Sequence, residues 1–246
     1  MLNLDGFKQD DAIKIETFLL KLLKHVNVEN LVICGGLAIR HHLKTNNVPF
    51  NYQRAFNDID LLLKNISDIK PTISQDFLIY HYHDYSGKTG HADDFYISVV
   101  DETIKIKADI YSYKPYIPIE PQKITFKEYE LFIRNYDDQL ATQLLEVEGI
   151  YKGNNVDPKW LDNINALSVI AKMDKAGSYY NRKLGLSGSG DVRQIINDLK
   201  TYLTSHPEQL VIKGNKRIPY VCELCESKSG FEVTPMPQIY KLLGFI

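Results

Sequence analysis

Two aspartates stand one residue apart inside an apolar run, FNDIDLLL at residues 56–63, and this pattern constrains the chain more than any other. Side chains of a β-strand alternate between faces. Asp58 and Asp60 therefore project together, while Ile59, Leu61 and Leu63 point the other way into a core. Upstream, NLVIC at 30–34 reads as a buried strand that ends at Gly35 and Gly36, and LAIRHHLKT at 37–45 reads as a short helix. A glycine pair between strand and helix lets backbone N–H groups approach a phosphate with no side chain in the way. A third acid follows the same logic. In TIKIKADIYSY, Ile104, Ile106, Ala108 and Ile110 form an apolar face, and Lys105, Lys107, Asp109 and Tyr111 form the other. If that strand lies beside the first, three carboxylates converge.

Converging carboxylates repel, and one of them keeps its proton unless a cation sits between them. A hard divalent ion such as Mg²⁺, or Mn²⁺, suits such oxygen ligands and leaves positions for phosphate oxygens. Two such ions can activate a hydroxyl and stabilise a leaving pyrophosphate.

The 246 residues suffice for one large domain or two small ones. With 44% apolar and 24% charged residues the chain is globular, and its formal charge of -2 supplies no global basic field for nucleic acid. Three cysteines do not make a disulfide scaffold, and the N-terminus MLNLDGFKQDD is polar and acidic, unlike a signal peptide. No run is long and apolar enough to span a bilayer. The expected protein is soluble and cytoplasmic, with no membrane partner.

Residues 9–25 carry apolar side chains at helical spacing, and FLIYHYHDY and DDFYISVVD read as strands. After Tyr113 the proline-rich KPYIPIEPQ reads as a linker, and helices follow: YDDQLATQLLEVEGIY, then DPKWLDNINALSVIAKMD with Asp157 as N-cap and Pro158 at the first position, then DVRQIINDLKTYLTS capped by Asp191. The expected fold is α+β. A small mixed sheet flanked by helices occupies residues 1–115, and a mostly helical lobe occupies 116–246.

The constellation resembles the nucleotidyltransferase superfamily, the fold of DNA polymerase beta. It is closest to the AbiEii-like branch of toxin–antitoxin and phage-defence nucleotidyltransferases. GGLAIR stands where the branch has its glycine pair, and RAFNDID stands where it has R-x-S-x-D-I-D, with Phe56 at the usual Ser or Thr. The resemblance covers about residues 30–113. It implies transfer of a nucleoside monophosphate from an NTP to an acceptor hydroxyl, such as a tRNA end or a protein side chain, and an antitoxin protein as partner. It also implies that Asp58, Asp60 and Asp109 hold the metal, with Asp109 the candidate general base. Gly35 and Gly36 would seat the phosphates, and Arg54 would neutralise charge. The branch lysine of the first C-terminal helix is replaced by Gln143. Lys159, three residues from Asp162, is the expected substitute on the nucleotide. An aminoglycoside-type enzyme acting on a small molecule uses the same triad, and a non-catalytic nucleotide-binding module is the remaining alternative.

Of the other features, His81, His83 and His91 read as a polar hairpin, GLSGSGD as a flexible hinge, and CELCE and KGNKR as surface segments. Of His41 and His42, one is expected to face the cleft and the other to pack.

Overall fold

The computed structural model describes residues 1–50, 56, 58–84, 94–113, 120–151 and 156–210. Arg54, His91, the Cys222–Cys225 pair and KGNKR lie outside the described residues.

Among the described residues, seven strands form one mixed sheet. They are β1 (Leu31–Cys34), β2 (Asp58–Leu63), β3 (Leu78–Asp84), β4 (Phe95–Asp101), β5 (Ile106–Ser112), β6 (Pro121–Phe126) and β7 (Tyr129–Arg134). Their spatial order is β3-β4-β5-β2-β1-β7-β6. β2 runs antiparallel to β1 and parallel to β5, and β7 runs parallel to β1. Among the described residues there are six α-helices, α1 (Gln9–Leu22), α2 (Gly35–Thr45), α3 (Tyr136–Tyr151), α4 (Pro158–Ile170), α5 (Met173–Lys183) and α6 (Val192–Ser205). The class is the expected α+β fold.

The apolar alternation decides how the layers pack. Ile33, Ile59, Leu61, Ala108, Ile110, Ile97 and Ile133 are fully buried and form one core with Ile15, Phe18, Leu19 and Leu22 of α1. A second core joins α3, α4, α5 and α6 through Leu140, Leu144, Ile164, Leu167, Tyr180, Ile196 and Leu199. α2 ties the two together, because Leu37 and Ala38 belong to the first core and Ile39 and Leu43 to the second.

Three elements depart from the sequence expectation. Residues 121–134, where the sequence expectation has the end of the linker at Pro121 and Gln122 and then the helical lobe, form the β6–β7 hairpin, turning at Lys127 with φ +53°, so the sheet extends to Arg134, well past residue 115. β5 begins at Ile106 and not at Thr103. The carboxylate of Asp101 accepts from the amides of Thr103 and Ile104, and Lys105 takes φ +60° to close the β4–β5 turn. The expected long helix from Pro158 breaks at Ala171. Lys172 N–H donates to Asp137 at 2.7 Å, and α5 starts afresh. The caps are as expected: Asp157 accepts from Lys159 N–H and Asp191 from Gln194 N–H.

GLSGSGD is stitched onto α5 and does not act as a hinge. Ser189 Oγ donates to the Asp174 carbonyl, Asn181 Nδ2 to the Ser187 carbonyl, and Gly190 N–H to the Gly177 carbonyl. A Cβ on Gly177 would stand 2.1 Å from the Gly190 carbonyl oxygen and 2.4 Å from Ser189 Oγ. The first of these is backbone and cannot swing away. Gly177→Ala is therefore expected to cost about 1–3 kcal/mol despite alanine's better helix propensity. Denaturant unfolding checks this, and a neutral or stabilising effect would show that the loop is not held this closely.

Candidate active site

The backbone register assembles the site on one face and at one edge of the sheet. Across the parallel β2–β5 pair, Asp60 stands opposite Asp109 and Asp58 opposite Lys107. Across β1–β2, Asp60 stands opposite Cys34. Directly paired residues share a sheet face. Cys34, Asp58, Asp60, Lys107, Asp109 and Tyr111 thus line one surface, while Ile59, Leu61, Ala108 and Ile110 are buried behind it. β7 pairs with β1 through Val32–Phe132 and Ile33–Ile133, which carries Arg134 to the level of Cys34.

Gly35 is required here for two reasons. It takes φ +58° as β1 turns into α2, and a Cβ on it would lie 1.9 Å from Asp60 Oδ2. The turn is therefore built around the Asp60 carboxylate. Gly36, in the first turn of α2, has open space on its Cβ side. The N-terminus of this helix, with its unpaired amides and positive dipole end, opens beside the carboxylates.

The three acids differ in their partners. Asp109 is buried, and both of its oxygens are engaged. Tyr96 Oη donates to Oδ1 at 2.8 Å, and the Lys107 ammonium forms an ion pair with Oδ2. Among the described residues, Asp58 and Asp60 have no hydrogen-bond donor. Burial, reinforced by the repulsion of Asp58, Asp109 and Glu146 and only partly offset by Lys107, pushes the Asp60 carboxyl up to about 8. Burial alone would lower Lys107, but Asp109, with Asp58 and Asp60 behind it, outweighs that and raises it. Burial followed by the charges of Asp60 and Asp109 also pushes the Tyr111 phenol up.

A cationic group lies on the other side of the Gly35 turn, and sequence reasoning did not find it. Asp138 is fully buried and takes two cations, Arg134 Nε at 3.0 Å and Lys183 Nζ at 2.6 Å. His42 Nε2 bonds the Arg134 carbonyl at 2.8 Å and fixes the end of β7. Arg134 and Lys183 against Asp138 leave one net positive charge, which Glu146 cancels when it is ionised. Glu146 of α3 is open to solvent yet ringed by protein, as on a cleft wall. That surrounding pushes its carboxyl up to about 7, against the pull of Arg134, Lys183 and Lys159. A group with this value can exchange a proton near neutrality.

The structure thus brings together Asp58, Asp60, Asp109 and Gly35, with Gly36 adjoining. Lys159 is half-buried at the start of α4, one turn before Asn163, and it acts electrostatically on Glu146. Asp162 is exposed. Gln143 is buried, and its carbonyl accepts from Asn163 Nδ2 at 3.0 Å, so it binds α3 to α4. Both His41 and His42 are buried, and neither lines the cleft. Tyr96, Lys107, Arg134, Asp138, Glu146 and Lys183 complete the site. Lys107 and Tyr111 were legible from the alternation of β5, whereas the other residues arrive by non-local pairing.

The donor set suits a hard cation, being carboxylate oxygens under mutual repulsion with one lysine ammonium already among them. As they stand, no three acidic, His or Cys side chains among the described residues surround a single metal position. Asp109 is turned to Lys107, so a dication would have to take its Oδ2 from that lysine.

No protein-family profile matches the chain, and no curated protein matches it. Solved structures do resemble it. An antigenic nucleotidyltransferase-like protein from Paracoccidioides brasiliensis has a TM-score of 0.47 and 12% identity, covering 83% of this chain and 94% of that one. The antibiotic-resistance factor ANT(2'')-Ia has a TM-score of 0.43 and 11% identity, covering 80% of this chain and 96% of that one. These are distant likenesses, and the functional assignment is built from this chain's own side chains.

The Asp60 environment predicts a pH dependence of stability. The folded chain holds a proton on Asp60 up to about 8, whereas the unfolded chain releases it in the ordinary carboxylate range. Between these limits the folded state binds more protons, so stability falls as pH rises. Asp60→Asn, in EDTA, is expected to flatten this fall and to melt higher than the parent at pH 8. Melting curves for both proteins from pH 5 to pH 9 test it, and parallel profiles would contradict it.

Proposed function

We propose that the chain is a metal-dependent nucleotidyltransferase that moves a nucleoside monophosphate from an NTP to an acceptor hydroxyl and releases pyrophosphate. The observation that carries this reading is the placement of Asp58, Asp60 and Asp109 side by side on one sheet face against the Gly35 turn, with cations on the far side of that turn. Such a bipolar site matches the two ends of a metal–triphosphate. The carboxylates would hold Mg²⁺ or Mn²⁺, and bound there the metal would neutralise charge on the transferring phosphate.

This chain's residues divide the remaining work. The Gly35–Gly36 amides at the start of α2 receive phosphate oxygens. Arg134 and Lys183, fixed by Asp138, give that end a positive field, and Lys159 of α4 is proposed to supply the charge that Gln143 lacks. Arg54 would add charge beside the DxD. Asp162, exposed on α4, is retained only as an outer contact to the nucleotide.

Asp109 has a partner on each oxygen, so it serves as a fixed ligand. The proton of the acceptor hydroxyl passes more readily to Glu146, which is open to solvent and poised near neutrality. The acceptor is a tRNA end or a protein side chain, the enzyme works in the cytoplasm, and an antitoxin protein is its proposed partner.

The decisive assay incubates the chain with each α-labelled NTP, Mg²⁺, and total RNA or protein, and asks what becomes labelled. Asp58→Ala with Asp60→Ala should abolish labelling while melting at or above the parent temperature in EDTA. A folded double variant that still transfers nucleotide would refute the assignment. The two acid roles separate by pH. Asp109→Asn should be inactive throughout, whereas Glu146→Gln should keep residual activity and lose the rise in kcat/KM across pH 7. A Glu146→Gln profile that still rises would place the base elsewhere.

A further inference from the structure

Among the described residues, the ammonium of Lys107 is the cation paired with these carboxylates, and its position is dictated by the strand. It lies two residues before Asp109 on the same face of β5 and opposite Asp58 in register, with its Nζ on Asp109 Oδ2. Its side chain is largely buried. Tyr96 holds the other oxygen of Asp109, so that carboxylate is complete without any metal. An exposed lysine would gain little from such a pair. In this recess the ammonium faces Asp109 with Asp58 and Asp60 beside it, and it cannot easily be replaced by water.

We propose that Lys107 is the resident cation of the carboxylate site. It neutralises Asp109 while the site is free of metal, and a divalent ion gains Asp109 only by displacing it. This inference rests on the metal-site reading above and goes beyond it. It assigns a positioning role to a residue that would touch neither metal nor substrate in the loaded state.

The consequence is a tuned affinity. A dication that takes Asp109 as a ligand must break the Lys107–Asp109 pair, so the lysine weakens binding and keeps the apoprotein folded. Lys107→Met should bind Mn²⁺ about tenfold more tightly than the parent, because the competing charge-assisted bond is gone. It should also melt lower in EDTA and gain more from added Mn²⁺. Lys107→Arg keeps the charge and should retain the parent's weak affinity.

Calorimetric titration of the full chain with Mn²⁺ alone measures this, with Asp60→Asn as the control that removes the site. A second measurement needs no variant. Amine acetylation followed by mass spectrometry should find Lys107 protected in EDTA and modified faster in Mn²⁺. The inference is supported by tighter binding in Lys107→Met, or, if that variant does not fold, by metal-induced labelling of Lys107 in the parent. If Mn²⁺ binds the parent through Asp60 but binds Lys107→Met no more tightly, and Lys107 stays protected, the inference falls and the metal site stands. If no form binds Mn²⁺, both fall.

Discussion

Mutual repulsion among carboxylates that the backbone cannot separate is the constraint on which the site depends. The β2–β5 register sets Asp60 beside Asp109, and strand alternation sets Asp58 on the same face. None of the three can turn into the core, because Ile59, Leu61, Ala108 and Ile110 already fill it. The remedies within the chain are local. Lys107 and Tyr96 satisfy Asp109, and the Gly35 turn gives Asp60 room but no hydrogen bond. A folded protein that leaves one carboxylate raised in this way is less stable than it could be. Such a cost is common where groups are arranged for chemistry.

The rest of the architecture serves to place opposite charge nearby. Parallel pairing of β7 with β1 brings Arg134 to the Gly35 turn, and α3 begins directly after it, so Asp138 lies within reach of Arg134. The second core then presses α5 onto α3, which delivers Lys183 to the same aspartate. Asp138 is fully buried and would be costly alone, yet with two cations it orders the junction between sheet and helices. Gln143 and Asn163 make a neutral bond one turn further along. The cleft is thus negative on one wall and positive on the other, with a helix N-terminus between them.

Much of this was legible in the sequence because it depends on local rules. Alternation placed Asp58, Asp60 and Asp109 on polar faces, the glycine pair marked the strand-to-helix turn, and Asp157 and Asp191 announced their helices. The β6–β7 hairpin was hidden. Its turn residues, Lys127 and Glu128, lack the Asn-Gly or Asp-Gly signal, and the strand pairs with β1 across about a hundred residues. Arg134 was hidden with it. Lys183 and Glu146 were visible only as ordinary charged residues on helices, since their place in the site comes from how those helices pack. Lys107 was visible on the right face, but its pairing with Asp109 follows from burial, which alternation does not reveal.

Anomalous diffraction from crystals grown with Mn²⁺ and a non-hydrolysable NTP would locate the metal among these carboxylates. A manganese peak ligated by oxygens of Asp58, Asp60 and Asp109 at about 2.0–2.2 Å is expected, with the triphosphate reaching from it past Gly35 toward Arg134 and Lys183. A chain with Lys107 still on Asp109, and manganese bound elsewhere or not at all, would contradict it.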